Sequence, residues 1–348
     1  MPGLLAAHEE KILSDSEDMK PLHQNSSEMA YNASASEMNS SNKVFSSSEL
    51  PGVGVFTSAE LLYWKAQQQD MGYAVRSQST SSIFKGKESD PRFRWNAGFR
   101  VGLGYYLSHD RWDLVGSYTQ LKSQTNSQVK APYGAEVLPT WSAASSASVN
   151  AASANWNIHL QLGDLEIGKD LVVSDWLKIR CHLGVRGAWI FQKYTLEYQG
   201  GAAFPGDQVD DVEMKSNFFG VGSRIGADGL WGIFRGLSIF SNGSMSLLSG
   251  FFTVNQNEQL QGAISSFLNI SSNPQSVITL LDLSLGFQYD AYFKSKKMHL
   301  GSKLGYEFNY IFNQNQFMRF SSVGSGNYYI SEGDLSFMGL TAGLRFDF

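Results

Sequence analysis

"GLTAGLRFDF" ends the chain, from Gly339 to Phe348. Leu340, Ala342, Leu344, Phe346 and Phe348 share one parity, and Thr341, Gly343, Arg345 and Asp347 share the other. Successive side chains of a strand point to opposite faces, so this stretch predicts a two-faced strand that stays apolar to its last residue. A soluble domain ordinarily finishes in a frayed, polar segment. The ending therefore asks for a sheet whose outer face does not meet water.

The bulk composition agrees. Charged residues make up 17% of the 348, against roughly 25% in soluble domains, while aromatic residues reach 13% and glycines number 34. Mean hydropathy is -0.22, and no apolar run approaches the roughly 18 residues of a membrane helix. A membrane span must then be built from strands. A net charge of -5 without a clustered basic stretch points away from nucleic acid as a partner. The single cysteine, Cys181, excludes an internal disulfide.

From Val53 onward the terminal alternation recurs. In "RFRWNAGFRVGLGYYL", Phe93, Trp95, Ala97, Phe99, Val101, Leu103 and Tyr105 oppose Arg94, Asn96 and Arg100. In "WLKIRCHLGVRGAWIF", Leu177, Ile179, Cys181, Leu183 and Val185 oppose Lys178, Arg180, His182 and Arg186. "KMHLGSKLGYEFNYIF" repeats the pattern, and a helical period fits none of the three. About ten strands follow, near 53–66, 93–107, 111–123, 155–170, 176–198, 213–229, 236–250, 276–292, 297–313 and 334–348. Each is long enough for the roughly 9 to 11 residues of a tilted membrane strand.

The connections alternate between short turns and long loops, which predicts an all-β, antiparallel up-and-down transmembrane barrel in an outer membrane. The long loops are expected outside the cell and both chain ends on the periplasmic side. All eight prolines fall outside the predicted strands, where none breaks a ladder. Trp64, Trp95, Trp112, Trp156, Trp176, Trp189 and Trp231 lie near strand ends and are read as membrane-interface aromatics. A soluble sandwich with buried tryptophans is the competing reading, and the alternation of loop lengths weighs against it.

The chain divides into residues 1–51 and a barrel at 52–348. The first part, with "QNSSEMAYNASASEMNSSNKVFSSSEL" at 24–50, reads as a disordered Ser/Asn-rich tail in the periplasm. "MPGLLAAHEEK" lacks the basic start of a secretory leader, which counts against export. A mis-assigned start site or an already trimmed chain would reconcile the two readings.

The polar parity assigns the lumen. Its bases are Arg94, Arg100, Lys178, Arg180, Arg186, Arg224, Lys303 and Arg345, with His182 beside them. Its acids are Glu60, Asp113, Asp228, Asp282, Asp290, Glu307 and Asp347. A base facing lipid at the midplane would cost roughly 2 to 4 kcal/mol, so the interior is its place. The strand at 155–170 changes parity between Trp156–Leu162 and Leu165–Ile167. A bulge near Gly163 would turn Asp164 and Glu166 inward, opposite His182 and Arg180. Five bases on the early strands suggest a weak anion preference.

No H-E-x-x-H, C-x-x-C or phosphate loop is present. The expectation is therefore no catalytic, cofactor or metal residue, and no enzyme. Ten-stranded outer-membrane proteases carry acids and histidine at the extracellular rim, whereas the acids here read as mid-strand or near the turns.

Thr341, Gly343, Phe346 and Phe348 resemble the C-terminal insertion signal of bacterial outer-membrane barrels, which implies the barrel-assembly machinery as a partner. Three longer segments carry a family resemblance. They are "AELLYWKAQQQDMGYAV", "RWNAGFRVGLGYYLSHDRWDLVGSYTQL" and "NWNIHLQLGDLEIGKDLVVSDWLKIRCHLGVRGAWIFQKYTLEYQ". They resemble the Legionella-type major outer membrane protein family, pore-forming proteins also found in Chlamydia-related bacteria. The resemblance implies an outer-membrane porin for small hydrophilic solutes or ions. Outer-membrane lipid and further copies of the chain in a homo-oligomer are the other expected partners. The chlamydial members are cysteine-rich and cross-linked, and this chain departs from them in having Cys181 alone. Ten strands leave a narrow lumen. The alternative is a closed structural barrel whose long loops act in adhesion or surface recognition.

Overall fold

The structure is a computed structural model that describes residues 54–77, 86–108, 110–131, 135–206, 208–293, 298–320 and 327–348. The expected tail at 1–51 lies outside the described residues.

Ten strands form a ring. They are β1 (Gly54–Gln68), β2 (Trp95–Tyr106), β3 (Trp112–Lys130), β4 (Ala151–Ser174), β5 (Leu177–Gln199), β6 (Val209–Phe234), β7 (Leu237–Leu260), β8 (Gln275–Phe293), β9 (Met298–Ile311) and β10 (Leu335–Asp347). Each pairs antiparallel with its neighbours in the chain, and β10 closes on β1 from Phe56↔Asp347 to Gln68↔Leu335. Closure satisfies every edge, as hydrocarbon requires. It also explains the apolar ending, since Phe348 is 61% exposed on the outer face of the last strand.

The turn end is tight. Arg235 and Gly236 alone join β6 to β7, and Gly236 adopts φ 77°, where a Cβ would lie 2.6 Å from the Asp290 carbonyl oxygen. A side chain would be strained there twice over. At the opposite end the wall is uneven. Strands β4 to β7 have 24, 23, 26 and 24 residues, whereas β1, β2, β9 and β10 have 15, 12, 14 and 13. The predicted strands at 111–123 and 236–250 stop short of the observed ends at Lys130 and Leu260 because the outward residues there are polar, among them Gln124, Asn126, Asn255 and Asn257.

Lipid-facing parity is apolar around the ring, with Leu61, Leu103, Leu165, Leu183, Ile225, Leu247, Leu285, Leu304 and Leu344 all exposed. Trp112, Trp176 and Trp231 stand toward the turn end of this belt. Trp95 stacks on Tyr63 toward the other end, and Trp189 packs outward on Phe219. Trp64 and Trp156 correct the expectation. Both are 0% exposed and point into the barrel, not to a membrane interface. The bulge near Gly163 is corrected too. Pairing of β4 runs unbroken through Gly163 on both sides, and its one register shift against β5 lies between Val172 and Ser174. Trp156, Ile158, Leu160, Leu162, Asp164 and Glu166 therefore share one inward face.

Candidate functional site in the barrel lumen

The lumen has two parts. Toward the turns, inward positions carry charge. Arg186 donates from Nε to Asp164 at 2.6 Å on the next strand, and from Nη1 to Asp282 at 2.6 Å, three strands around the ring. Arg224 reaches the same Asp282 oxygen at 2.6 Å. On the other side Arg100 contacts Glu60 at 2.8 Å and Glu307, three strands away, at 3.0 Å. Lys303 completes that group at 2.7 Å from Glu60. These bridges run across the passage as well as along its wall.

Below them Arg180 gathers Asp113 at 2.6 Å, Asp228 at 3.0 Å and Glu166 at 3.2 Å. His182 Nδ1 lies 2.9 Å from Glu166. Close approach makes this possible. A Cβ on Gly168 would stand 2.5 Å from the Arg180 guanidinium, and one on Gly226 would stand 2.6 Å from His182 Nε2. Glycine at both places lets the side chains lie flat on the wall. Lys178 pairs with Asp170 at 2.7 Å. Nearest the turns, His299 bridges Asp290 at 2.9 Å and Asp347 at 2.5 Å, and Arg345 pairs with Asp347 over the Phe56 ring. A cavity of about 290 Å³ lies among these groups, lined by Glu60, Asp113, Glu166, Asp170, Lys178, Arg180, Asp228, Lys303 and Arg345.

Toward the long loops the same inward parity is largely apolar, with Gln192, Ser216, Ser246 and Gln256 buried among its rings and aliphatic groups. Trp64, Trp156, Leu160, Ile190, Phe218, Leu248, Phe252, Leu280 and Phe337 are buried there. Three loops fold onto this surface. Trp141, from the loop between β3 and β4, donates from Nε1 to the Gly72 carbonyl at 2.8 Å and packs edge-on against Tyr194 and Phe317. Tyr194 and Tyr198 donate to the carbonyls of Met71 and Tyr73 at 2.7 and 2.8 Å. Arg319 covers the other side of Trp141, 4.0 Å from the ring centroid.

One acidic pair anchors the loops. Glu258, fully buried on β7 beyond the last lipid-facing aromatic Phe251, accepts from the backbone N–H of Ala143 at 2.8 Å and of Ala144 at 3.1 Å, and from Ser142 Oγ at 3.3 Å. Burial, with Asp210 beside it, pushes the Glu258 carboxyl up to about 8. Burial likewise raises Asp210. The pair is stable when it shares a proton.

Several sequence readings are adjusted by this geometry. Arg94 lies exposed ahead of β2 and outside the lumen network. Asp164 faces Arg186, its register partner, instead of Arg180 or His182, while Glu166 does meet Arg180 and His182. In the terminal motif, Thr341 accepts from Trp64 Nε1 at 3.2 Å inside the barrel. Gly343 makes room for Glu60 and Lys303, whose side chains come within 2.9 and 3.1 Å of a Cβ placed there. Phe346 and Phe348 pack edge-on, centroids 4.8 Å apart. Sequence reading missed Trp141, Asp210 and Glu258. An acid in the otherwise uncharged "TVNQNEQL" was the available signal.

Among solved structures, the outer membrane protease OmpT from Escherichia coli aligns at 10% identity and TM-score 0.44, covering 87% of this chain and 100% of that one. Ail, the attachment invasion locus protein of Yersinia pestis, aligns at 9% and 0.24, covering 85% and 99%. A Pseudomonas aeruginosa FadL homologue aligns at 9% and 0.26, covering 88% and 95%. At these scores none bears on what this chain does. The search among curated proteins gave no match. A family model described as Legionella pneumophila major outer membrane protein precursor matches residues 56–348, the whole ring but the first two residues of β1. The chain is an outer-membrane β-barrel and belongs to the Legionella major outer membrane protein family.

Proposed function

We propose that this barrel is a gated porin, a narrow passive path for small ions and hydrophilic solutes that its own loops close. The observation that carries the reading is the charged cavity of about 290 Å³ in the turn-side half. A barrel that served only as a scaffold would gain little from such a lining, since replacing buried ion pairs by packed apolar groups is often neutral or stabilising by about 1 to 4 kcal/mol. A lumen that takes up water keeps its charges at lower cost. The resemblance in sequence to pore-forming proteins supports the same conclusion. Opening requires withdrawal of the Trp141 loop and rearrangement of the Arg186–Asp282 and Arg100–Glu307 bridges.

In this reading the long loops face outside, the turns face the periplasm, and the assembly machinery recognises the terminal strand. The barrel is not an enzyme, because its lumen acids and bases are engaged with one another. Close pairing also removes the basis for an anion preference, as each lumen arginine from Arg100 to Arg224 touches a carboxylate. A second reading, a closed barrel acting through its surface loops, is favoured by the dense packing around Trp141. Planar-bilayer recording separates the two. A refolded, heat-modifiable barrel should give channel events with a reversal potential near zero under a salt gradient. A barrel silent at every voltage and pH would leave the surface-loop reading.

A further inference from the structure

The outward rows of β3 to β6 change character twice above the apolar belt. Gln120, Gln161, Trp189 and Phe219 align across the four strands, then Lys122, His159, Phe191 and Asn217, then Gln124, Asn157, Lys193 and Lys215. Further out, Glu197 stands opposite Asp211. A basic layer therefore lies between grease and acid. Lys122 and His159 share a depression of about 630 Å³ with Gln124, Asn157, Lys193 and Lys215. Glu213 holds Lys193 at 2.5 Å and Lys215 at 2.6 Å. It neutralises one of the three lysine charges and leaves a cationic surplus.

We propose that this face binds the phosphate groups of an outer-leaflet glycolipid. The proposal rests on the outward placement of the long loops. In a bilayer the headgroup phosphates lie just above the acyl chains, and lysines at that level reach up to them while their stems stay on apolar surface. Phe191, Phe219 and Trp189 supply the surface for acyl chains directly below the lysines. Gln120 and Gln161 both reach His159 Nε2 at 3.0 Å and hold its ring within the depression. A free anion would meet Glu213 without gaining the apolar contact. A phosphorylated lipid gains both, so the lipid is the favoured occupant.

The test uses the full chain, refolded in a non-ionic detergent, with native mass spectrometry of the folded barrel. The probes are diphosphorylated lipid A, the same lipid after dephosphorylation, and inorganic phosphate. Lysines near an anionic surface each contribute about fivefold. The triple variant Lys122→Gln, Lys193→Gln, Lys215→Gln should therefore retain diphosphorylated lipid at least about tenfold less than the unaltered chain. Dephosphorylated lipid should be retained equally poorly by both. Glu213→Gln should increase retention, and inorganic phosphate should not compete. Equal retention by the triple variant, or equal binding of dephosphorylated lipid, would overturn the site. Competition by inorganic phosphate would replace the lipid with a free anion and overturn the stated occupant. Lipid binding is read without conductance, so a silent pore leaves it standing. Protease cleavage within residues 200–208 only from the periplasmic side would remove the orientation, and with it the outer-leaflet source.

Discussion

In the turn-side half of the barrel, Arg180 lies across Gly168 and touches three carboxylates. In the loop-side half, Trp156, Phe218 and Phe252 occupy inward positions on the same long-strand wall. Strand β4 carries both kinds, Trp156 to Leu162 and then Asp164, Glu166 and Asp170, on one unbroken face. The strands' own inward residues set this division, and the loops reinforce it by seating Trp141 and Met71 over the apolar half.

The sharpest contrast is energetic. Removing Arg186 leaves Asp164 and Asp282 without their shared partner, and breaking a buried pair from one side costs about 3 to 5 kcal/mol. Leu160→Ala, in the apolar half, deletes packing alone and should cost about 2 to 5 kcal/mol. Urea unfolding of the refolded barrel would rank the two. If Arg186→Met were the milder substitution, the turn-side bridges would be loosely solvated and the two halves less distinct than described.

The loop-side half should also respond to pH. The Glu258 carboxyl is held up to about 8 while the Trp141 loop is seated, and returns toward its ordinary value near 4.5 when withdrawal hydrates it. The closed state thus binds more protons between these values. Its advantage is complete at acid pH and is lost as pH rises through about 8. Open probability should climb several-fold between about pH 6 and about pH 9, and Glu258→Gln should abolish the climb. A profile unchanged by Glu258→Gln would mean that the acid pair does not hold the loop.

The smallest effect on the lumen should come from its outer edge. Deleting Phe348, which packs on Phe346 facing lipid, should lower the yield of heat-modifiable barrel in the membrane and leave the conductance of surviving channels unaltered. Normal insertion after the deletion would mean that the terminal aromatic has no part in assembly.

The ring was legible in the sequence because lipid contact forces strict alternation, as in Leu340 to Phe348 or Leu177 to Val185. The division of the lumen was not. Parity separates two faces without saying which is inside, and an apolar face was read as lipid-facing. That rule called for a bulge near Gly163, where the inward face simply passes from grease to charge. Nearness to strand ends, not parity, misplaced Trp64 and Trp156, which point inward and bond to Thr341 and Gln192. The long-range bridges of Arg186 and Arg100 were equally hidden, since ring geometry, not spacing in the chain, brings β5 to β8 and β2 to β9.

Single-channel recording in planar bilayers of the unaltered barrel beside Trp141→Ala tests the gated pore most directly. The unaltered chain should give infrequent, small openings, and Trp141→Ala, which removes the indole seated on Gly72, Tyr194 and Phe317, should open far more often. Folded, membrane-inserted barrels of both kinds that never conduct would contradict the account.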